Sequence, residues 1–149
     1  MGLRESASAL VSATPKRVFD LVTDPSKLPS WNRAIDELIE GPVSLESGSV
    51  WKVRIHALGR SWVSKSQVSR LDPAGGHFAY RSQSDDGNPS YADWDWQVEP
   101  DDDGSRVTVG VELNPVTFWR KHLLVYLRRP ALRKELHESL KALGVAAES

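Results

Sequence analysis

The chain of 149 residues contains no cysteine. Disulfides, thiolate nucleophiles and zinc–cysteine sites are thereby excluded. The compartment stays open on this ground, because a cysteine-free chain folds in either redox setting. Net charge is almost absent: 19 Lys and Arg stand against 20 Asp and Glu, giving −1. The whole chain makes no case for nucleic acid or an anionic membrane as a partner. No window approaches the roughly 18 uninterrupted apolar residues of a membrane span. The opening M-G-L-R-E-S-A-S-A-L lacks the apolar centre of a signal peptide. It formally contains M-G-x-x-x-S, a myristoylation pattern, but reads better as a strand. A phosphate-binding glycine loop, a G-x-S-x-G elbow and histidines at metal-ligand spacing are all missing. A soluble cytoplasmic protein without metal or cofactor is the expectation.

What is present is an ordinary globular composition, 40% hydrophobic and 26% charged. One domain over residues 1–149 is the simplest organisation at this length. Repeats, linkers and low-complexity segments are not seen.

The most informative stretch runs from Ser12 to Trp31, S-A-T-P-K-R-V-F-D-L-V-T-D-P-S-K-L-P-S-W. Thr14 suits a helix cap and Pro15 the first helical position. Val18, Phe19, Leu21 and Val22 give that helix an apolar side. Asp24-Pro25 repeats the signal for a second, shorter helix. Pro29 is expected to end it, with Trp31 opening a strand.

Before this stretch, residues 3–12 alternate loosely, with Leu3, Ala7, Ala9 and Val11 on one side. After it, residues 31–40 put Ile35 and Ile39 on one face, with Ala34 and Leu38 between. A strand with a bend is expected there, ended by Gly41-Pro42. In V-W-K-V-R-I-H-A, Trp51, Val53 and Ile55 alternate with Lys52, Arg54 and His56, the period of a half-buried strand. Further strands are expected over 61–71, 77–83, 91–99 and 107–113. Turn signals separate them, among them Asp85-Asp86-Gly87-Asn88 and Asp101-Asp102-Asp103-Gly104. Such short connections imply antiparallel pairing. From about Thr117 the spacing becomes helical: Trp119, Leu123, Leu127, then Leu132, Leu136, Leu140 and Leu143. Pro130 predicts a kink or break near Arg129. The tail after Gly144 is expected to fray.

These residues resemble a known family. Ala13-Thr14-Pro15, Val18-Phe19, Asp24, Pro29 and Trp31 are similar to the segment by which the START-like, Bet v 1-like (SRPBCC) superfamily is recognised. More narrowly they resemble the bacterial polyketide cyclase/dehydrase and lipid-transport group. Gly48 before Trp51, the Val68 to Pro73 stretch, Trp96 and Asp103-Gly104 fall where that pattern expects them. The resemblance implies an α+β helix-grip fold, a curved antiparallel sheet of about seven strands around the long C-terminal helix. It implies a cavity for a hydrophobic small molecule or lipid between sheet and helix. Some members of the group catalyse aromatic cyclisations in that cavity, so an enzyme of the cyclase/dehydrase type is the alternative. No catalytic signature accompanies the resemblance, and it leaves ligand and oligomeric state open.

The candidate lining follows from strand parity and helical spacing. It comprises Trp51, Val53, Ile55, Trp62, Phe78, Tyr80, Trp94 and Trp96 on the strands, and Trp119, Leu123, Tyr126 and Leu127 on the helix. Each aromatic ring could instead fill the core. Asp93 and Asp95 share the face opposite Trp94 and Trp96. Burying two tryptophans is far more favourable than burying two unpaired carboxylates, so the aspartates are expected outside. His56, His77, His122 and His137 are expected at the surface, with His56 the one to test as a base. Arg120, Lys121, Arg128, Arg129, Arg133 and Lys134 form a basic cluster, expected to be a solvated helix face.

Overall fold

The computed structural model describes residues 3–57, 59–85, 90–114 and 125–148, with side chains for all of these but 3, 57, 125–129 and 131. Seven strands form one antiparallel sheet: β1 (Leu3–Val11), β2 (Ile35–Glu40), β3 (Val50–Ala57), β4 (Arg60–Asp72), β5 (His77–Ser84), β6 (Tyr91–Asp101) and β7 (Gly104–Asn114). Their spatial order is β1-β7-β6-β5-β4-β3-β2. Strands β2 to β7 are thus a meander, and β1 closes on β7 from the other end of the chain. Two short helices, α1 (Pro15–Val22) and α2 (Leu28–Trp31), follow β1, and the long α3 (Val125–Glu148) ends the chain. Among the described residues, no helix is long and apolar enough to cross a membrane.

The caps read from sequence are in place. Thr14 Oγ1 accepts from the Arg17 N–H at 3.3 Å, and Pro15 opens α1. Asp24 Oδ1 accepts from the Ser26 N–H at 3.0 Å, capping a 3-10 turn over Pro25–Lys27. Pro29 behaves differently from expectation. It sits in the first turn of α2, where a missing N–H costs nothing. Trp31 therefore closes α2 instead of opening a strand, and Asn32 caps the end. The strand begins only at Ile35.

β2 carries two register shifts against β3, between Ile35 and Glu37 and between Leu38 and Glu40. Each irregularity breaks the period of two. Ile35 and Leu38 consequently pack on the core, while Ile39 is exposed. β4 carries a further shift against β5 between Val68 and Arg70, which brings both Val68 and Leu71 to the core side; in the remaining strands parity holds. Ala7, Val11, Trp51, Val53, Val68, Phe78, Trp96, Val98, Val107, Val109 and Val111 are buried from the sheet's inner face. The β4–β5 turn needs its glycine: Gly76 has φ 67°. A Cβ there would collide with the Val98 carbonyl oxygen, so only glycine fits.

Leu132, Leu136, Leu140 and Leu143 of α3 are buried, as the heptad-like spacing predicts. The break expected near Arg129 does not occur. The helix runs through Pro130 without interruption, with the proline exposed. Nor does the tail fray after Gly144. The Arg17 guanidinium donates to the Ala147 and Ala146 carbonyls at 2.6 and 3.4 Å. The Glu148 carboxylate accepts from the Ser12 N–H at 2.9 Å. Ala147 is buried beneath these contacts. Carbonyls left over at a helix end are thus satisfied by a cation from α1.

Candidate ligand-binding face

Strand register decides which side chains share the inner face of the sheet. One row crosses it as Leu71, Phe78, Trp96, Val109 and Ala7. The next holds Val68, Tyr80, Trp94, Val111 and Glu5. A third holds Trp51, Ser66, Ser82, Ala92 and Leu113. Beyond it lie Val53, Ser64 and Ser84, then Ile55 beside Trp62. All eight strand residues picked out from sequence, Trp51, Val53, Ile55, Trp62, Phe78, Tyr80, Trp94 and Trp96, therefore lie on one face. Trp119 and Leu123 lie outside the described residues, and nothing is described of the Tyr126 and Leu127 side chains.

The face divides into two ends. At one end the rings are packed solid. Trp31 meets Trp96 edge-on, with centroids 5.4 Å apart and planes at 85°. Trp51 stacks on Phe78 at 6.1 Å and meets the edge of Tyr80 at 4.9 Å. Leu28, Trp31, Trp51, Phe78, Tyr80 and Trp96 enclose a void of only about 10 Å³. That is room for one water at most. At the other end Ile55, Trp62, Tyr80 and Trp94 keep part of their surface exposed. Tyr80 joins the two ends, stacked on Trp94 at 6.0 Å with the planes only 12° apart. Burial pushes the Tyr80 phenol well above the ordinary tyrosine range, and a hydrogen bond with the Trp96 side chain works against this. The phenol is thus a protonated hydrogen-bonding group at neutral pH. The Trp94 indole N–H donates to Ser82 Oγ at 3.1 Å.

A carboxylate on this face escaped the sequence reading. Glu5 is 9% exposed and accepts two hydrogen bonds from the Arg133 guanidinium, at 3.2 and 3.0 Å. The pair ties β1 to α3, and Glu5 raises the Arg133 pKa. The signal was present in the strand parity: position 5 falls between Leu3 and Ala7 on the inward side. Arg133 is accordingly more than part of a solvated basic face. Lys134 lies 3.9 Å from Glu138, an ordinary i,i+4 pair. Arg120 and Lys121 lie outside the described residues, as does His122, and the Arg128 and Arg129 side chains are not described.

The outer face is polar and ion-paired. Asp93 accepts twice from Arg81, at 2.7 and 3.1 Å, and Asp95 holds His77 Nε2 at 2.8 Å. Both aspartates point away from the tryptophans, as their parity requires. His56 is exposed on the same outer side and contacts Ser61 Oγ at 3.1 Å, so it does not face the candidate site. His137 is exposed on α3. Two open surface grooves flank α3, of about 370 Å³ beside Leu10 and Val145 and about 510 Å³ beside Ser30 and Arg33. Neither is lined by the aromatic face.

A curved sheet with short helices after its first strand and a C-terminal helix defines an α+β, helix-grip-like fold of the Bet v 1 and START type. Over residues 4–148 the chain matches the family described as polyketide cyclase / dehydrase and lipid transport, and it belongs to that family. No curated protein matches it in sequence. Similar solved structures include the Zhui aromatase/cyclase of a Streptomyces species, with TM-score 0.84, 14% identity, and coverage of 99% of this chain and 94% of that one. The protein TTHA0849 of Thermus thermophilus is similar with TM-score 0.77 and 21% identity, covering 99% of this chain and 100% of that one. The major latex-like protein 151 of Panax ginseng is similar with TM-score 0.74 and 14% identity, covering 99% of both chains. At such identities the likeness concerns the fold alone.

Proposed function

We propose that the protein binds a hydrophobic small molecule or lipid between the inner face of the sheet and α3, as a cytoplasmic carrier or sensor. The observation that carries this reading is the half-exposed aromatic end of the inner face. Tyr80 and Trp94 stack there, beside Trp62 and Ile55. Large apolar rings left partly uncovered on an inward face are what an apolar ligand would cover. Family membership agrees with it. The full proposed lining is Trp51, Val53, Ile55, Trp62, Phe78, Tyr80, Trp94, Trp96, Trp119, Leu123, Tyr126 and Leu127. Trp51, Phe78 and Trp96 act in it as the packed floor. Native mass spectrometry of freshly purified protein tests the reading, with a co-purifying apolar mass expected. Titration with a fluorescent fatty acid is expected to quench tryptophan emission, and Trp94→Ala to weaken that quenching. Absence of both signals would sink the reading.

A second reading is a cyclase/dehydrase-type enzyme acting on the same face. It is favoured by the inward Glu5 carboxylate and Tyr80 phenol, two polar groups in one row with Trp94. The Zhui structure is named an aromatase/cyclase, and the fold likeness to it is high. Such catalysis would rest on holding a flexible chain in one conformation more than on strong acid or base groups. A reactive linear poly-β-ketone incubated with the protein tests it. A changed ratio of cyclic products, lost in Tyr80→Phe, is the expected outcome, and an unchanged ratio counts against it.

A further inference from the structure

The net charge of −1 conceals a separation of charge between two layers. The helices pack over the inner face of the sheet, so the molecule has two outsides: the exposed side of the helices and the outer face of the strands. Along the sequence, the segments that hold α1, α2 and α3, residues 12–34 and 125–148, carry nine Lys and Arg against five Asp and Glu, a balance of +4. The segments that hold the strands and their turns, residues 3–11 and 35–114, carry eight against fifteen, a balance of −7. Two layers of opposite sign give the molecule a directed field that the whole-chain sum hides.

The two layers also use their cations differently. In the strand layer Arg4, Lys52, Arg54, Arg70, Arg81 and Arg106 each lie within 4.0 Å of a carboxylate. In the helical layer Lys16 pairs with Asp20 and Arg133 with Glu5, but the Lys27, Arg33 and Lys141 side chains have no acidic partner among the described residues. Lys141 stands on the exposed ridge of α3, between two open grooves. On the α2 side it shares a groove with Ser30, Arg33 and Val145, and on the β1 side it shares one with Leu10, His137 and Val145. Lys141 and Val145 are one helical turn apart, so they project from the same side of α3. Leu10 and Val145 are each 65% exposed. A single exposed aliphatic side chain is ordinary. Two of them bracketing an unpaired cation make an amphipathic ridge, with carbon and positive charge side by side.

We propose that this ridge, Lys141 and Val145 with Arg33 and Leu10 on its flanks, docks the protein on an anionic phospholipid bilayer. At a bilayer interface phosphate and acyl carbon lie at adjoining depths. Arg33 and Lys141 meet the phosphates there, while Leu10 and Val145 enter the carbon beneath. The acidic strand layer turns away from the membrane, so the field of the whole molecule orients its approach. A nucleic acid offers the charge without the aliphatic layer. An acidic protein offers both only if it is shaped to two shallow grooves, whereas a fluid bilayer needs no such fit. Few cations and two aliphatic side chains make the attachment weak and reversible. Only exterior residues take part, so this surface is independent of what the inner face binds.

Cosedimentation of the full chain with lipid vesicles tests the ridge. Binding is expected to vesicles of phosphatidylcholine mixed with phosphatidylglycerol, and not to phosphatidylcholine alone. It is expected to vanish at about 1 M salt, where charges beyond about 3 Å are screened. Arg33→Glu/Lys141→Glu is expected to weaken binding at least about tenfold, since each cation at an anionic surface contributes a factor of about five. Leu10→Ser/Val145→Ser is expected to weaken it while leaving the salt dependence in place. Lys65→Glu/Arg70→Glu makes the same charge change on the strand layer and is expected to bind like the parent. All these positions are exposed, so each variant should melt with the parent; if the glutamate pair on the ridge melts early, Arg33→Gln/Lys141→Gln takes its place. No binding to the anionic vesicles at low salt overturns the proposal. Equal weakening by the ridge and strand-layer variants also overturns it, because the effect would then be one of overall charge. Retention on poly-glutamate without vesicle binding would assign the ridge to an acidic protein and overturn the bilayer as its partner.

Discussion

The two ends of the sheet's inner face use the same residue types to different effect. At the end covered by α1 and α2, Trp31, Trp51, Phe78 and Trp96 interlock around a void of about 10 Å³. At the other end Trp62, Tyr80 and Trp94 share the face with serines and keep part of their surface exposed. Aromatic content alone therefore does not distinguish a core from a binding wall. What distinguishes them is whether another element covers the ring. Trp31 comes from α2 to cap Trp96; for Trp94 the described contacts are Tyr80 and Ser82, both from the sheet itself.

The sharpest way to break this contrast is a pair of truncations. Trp96→Ala is expected to destabilise the protein by about 3–5 kcal/mol, the cost of an unfilled large cavity. Trp94→Ala is expected to cost clearly less, about 1–2 kcal/mol, because part of the ring's surface is already exposed. Urea unfolding of both variants checks this; equal losses would mean that the two ends are one core. Next in size is Glu5→Gln, which leaves Arg133 without its bidentate anionic partner. A drop of a few degrees in Tm is expected, together with loss of the two-point contact between β1 and α3. An unchanged Tm would reduce the pair to a surface contact.

A smaller effect appears at high pH. Tyr80 has a raised pKa because burial disfavours its phenolate. In the unfolded chain the phenol ionises near its usual value of about 10, while the folded protein still holds the proton. The unfolded state then binds fewer protons, so stability is fully present below that pH and falls as pH rises above it. Tyr80→Phe is expected to flatten this alkaline decline, and a near-ultraviolet titration should show one tyrosine ionising later than the others. The smallest effect belongs to the outer face. Asp93→Asn removes an ion pair with Arg81 that solvent already screens, at a cost within about 1 kcal/mol. A larger loss would show that the outer face contributes to the fold.

Much of the architecture was legible because it depends on local chemistry. Thr14-Pro15 and Asp24-Pro25 announced helix starts with caps that the structure contains. Strict alternation in β3, β6 and β7 placed the tryptophans inside and the aspartates outside. The misreadings came where one residue type has two uses. Pro29 ends a helix or begins one, and only the turn it stands in decides. Pro130 predicts a kink or a break, and α3 continues past it without a break, with Leu132, Leu136 and Leu140 buried. Ile39 lost its inward place because two register shifts reset the parity of β2. Glu5 was passed over because a carboxylate inside is costly unless a cation meets it, and Arg133 lies 128 positions away.

The sequence by itself determined the order of elements, the antiparallel pairing and the inward row of aromatic residues. Those follow from period, caps and turns, which act over a few residues. It also carried the family likeness. The tertiary structure alone decided which of those rings became core and which stayed partly open. That choice depends on contacts between segments far apart in the chain: α2 laid over Trp96, α3 clipped to β1 by Glu5 and Arg133, and β4 paired with β5 in the register that gathers four serines. Burial is a property of what lies opposite, and no local pattern contains it.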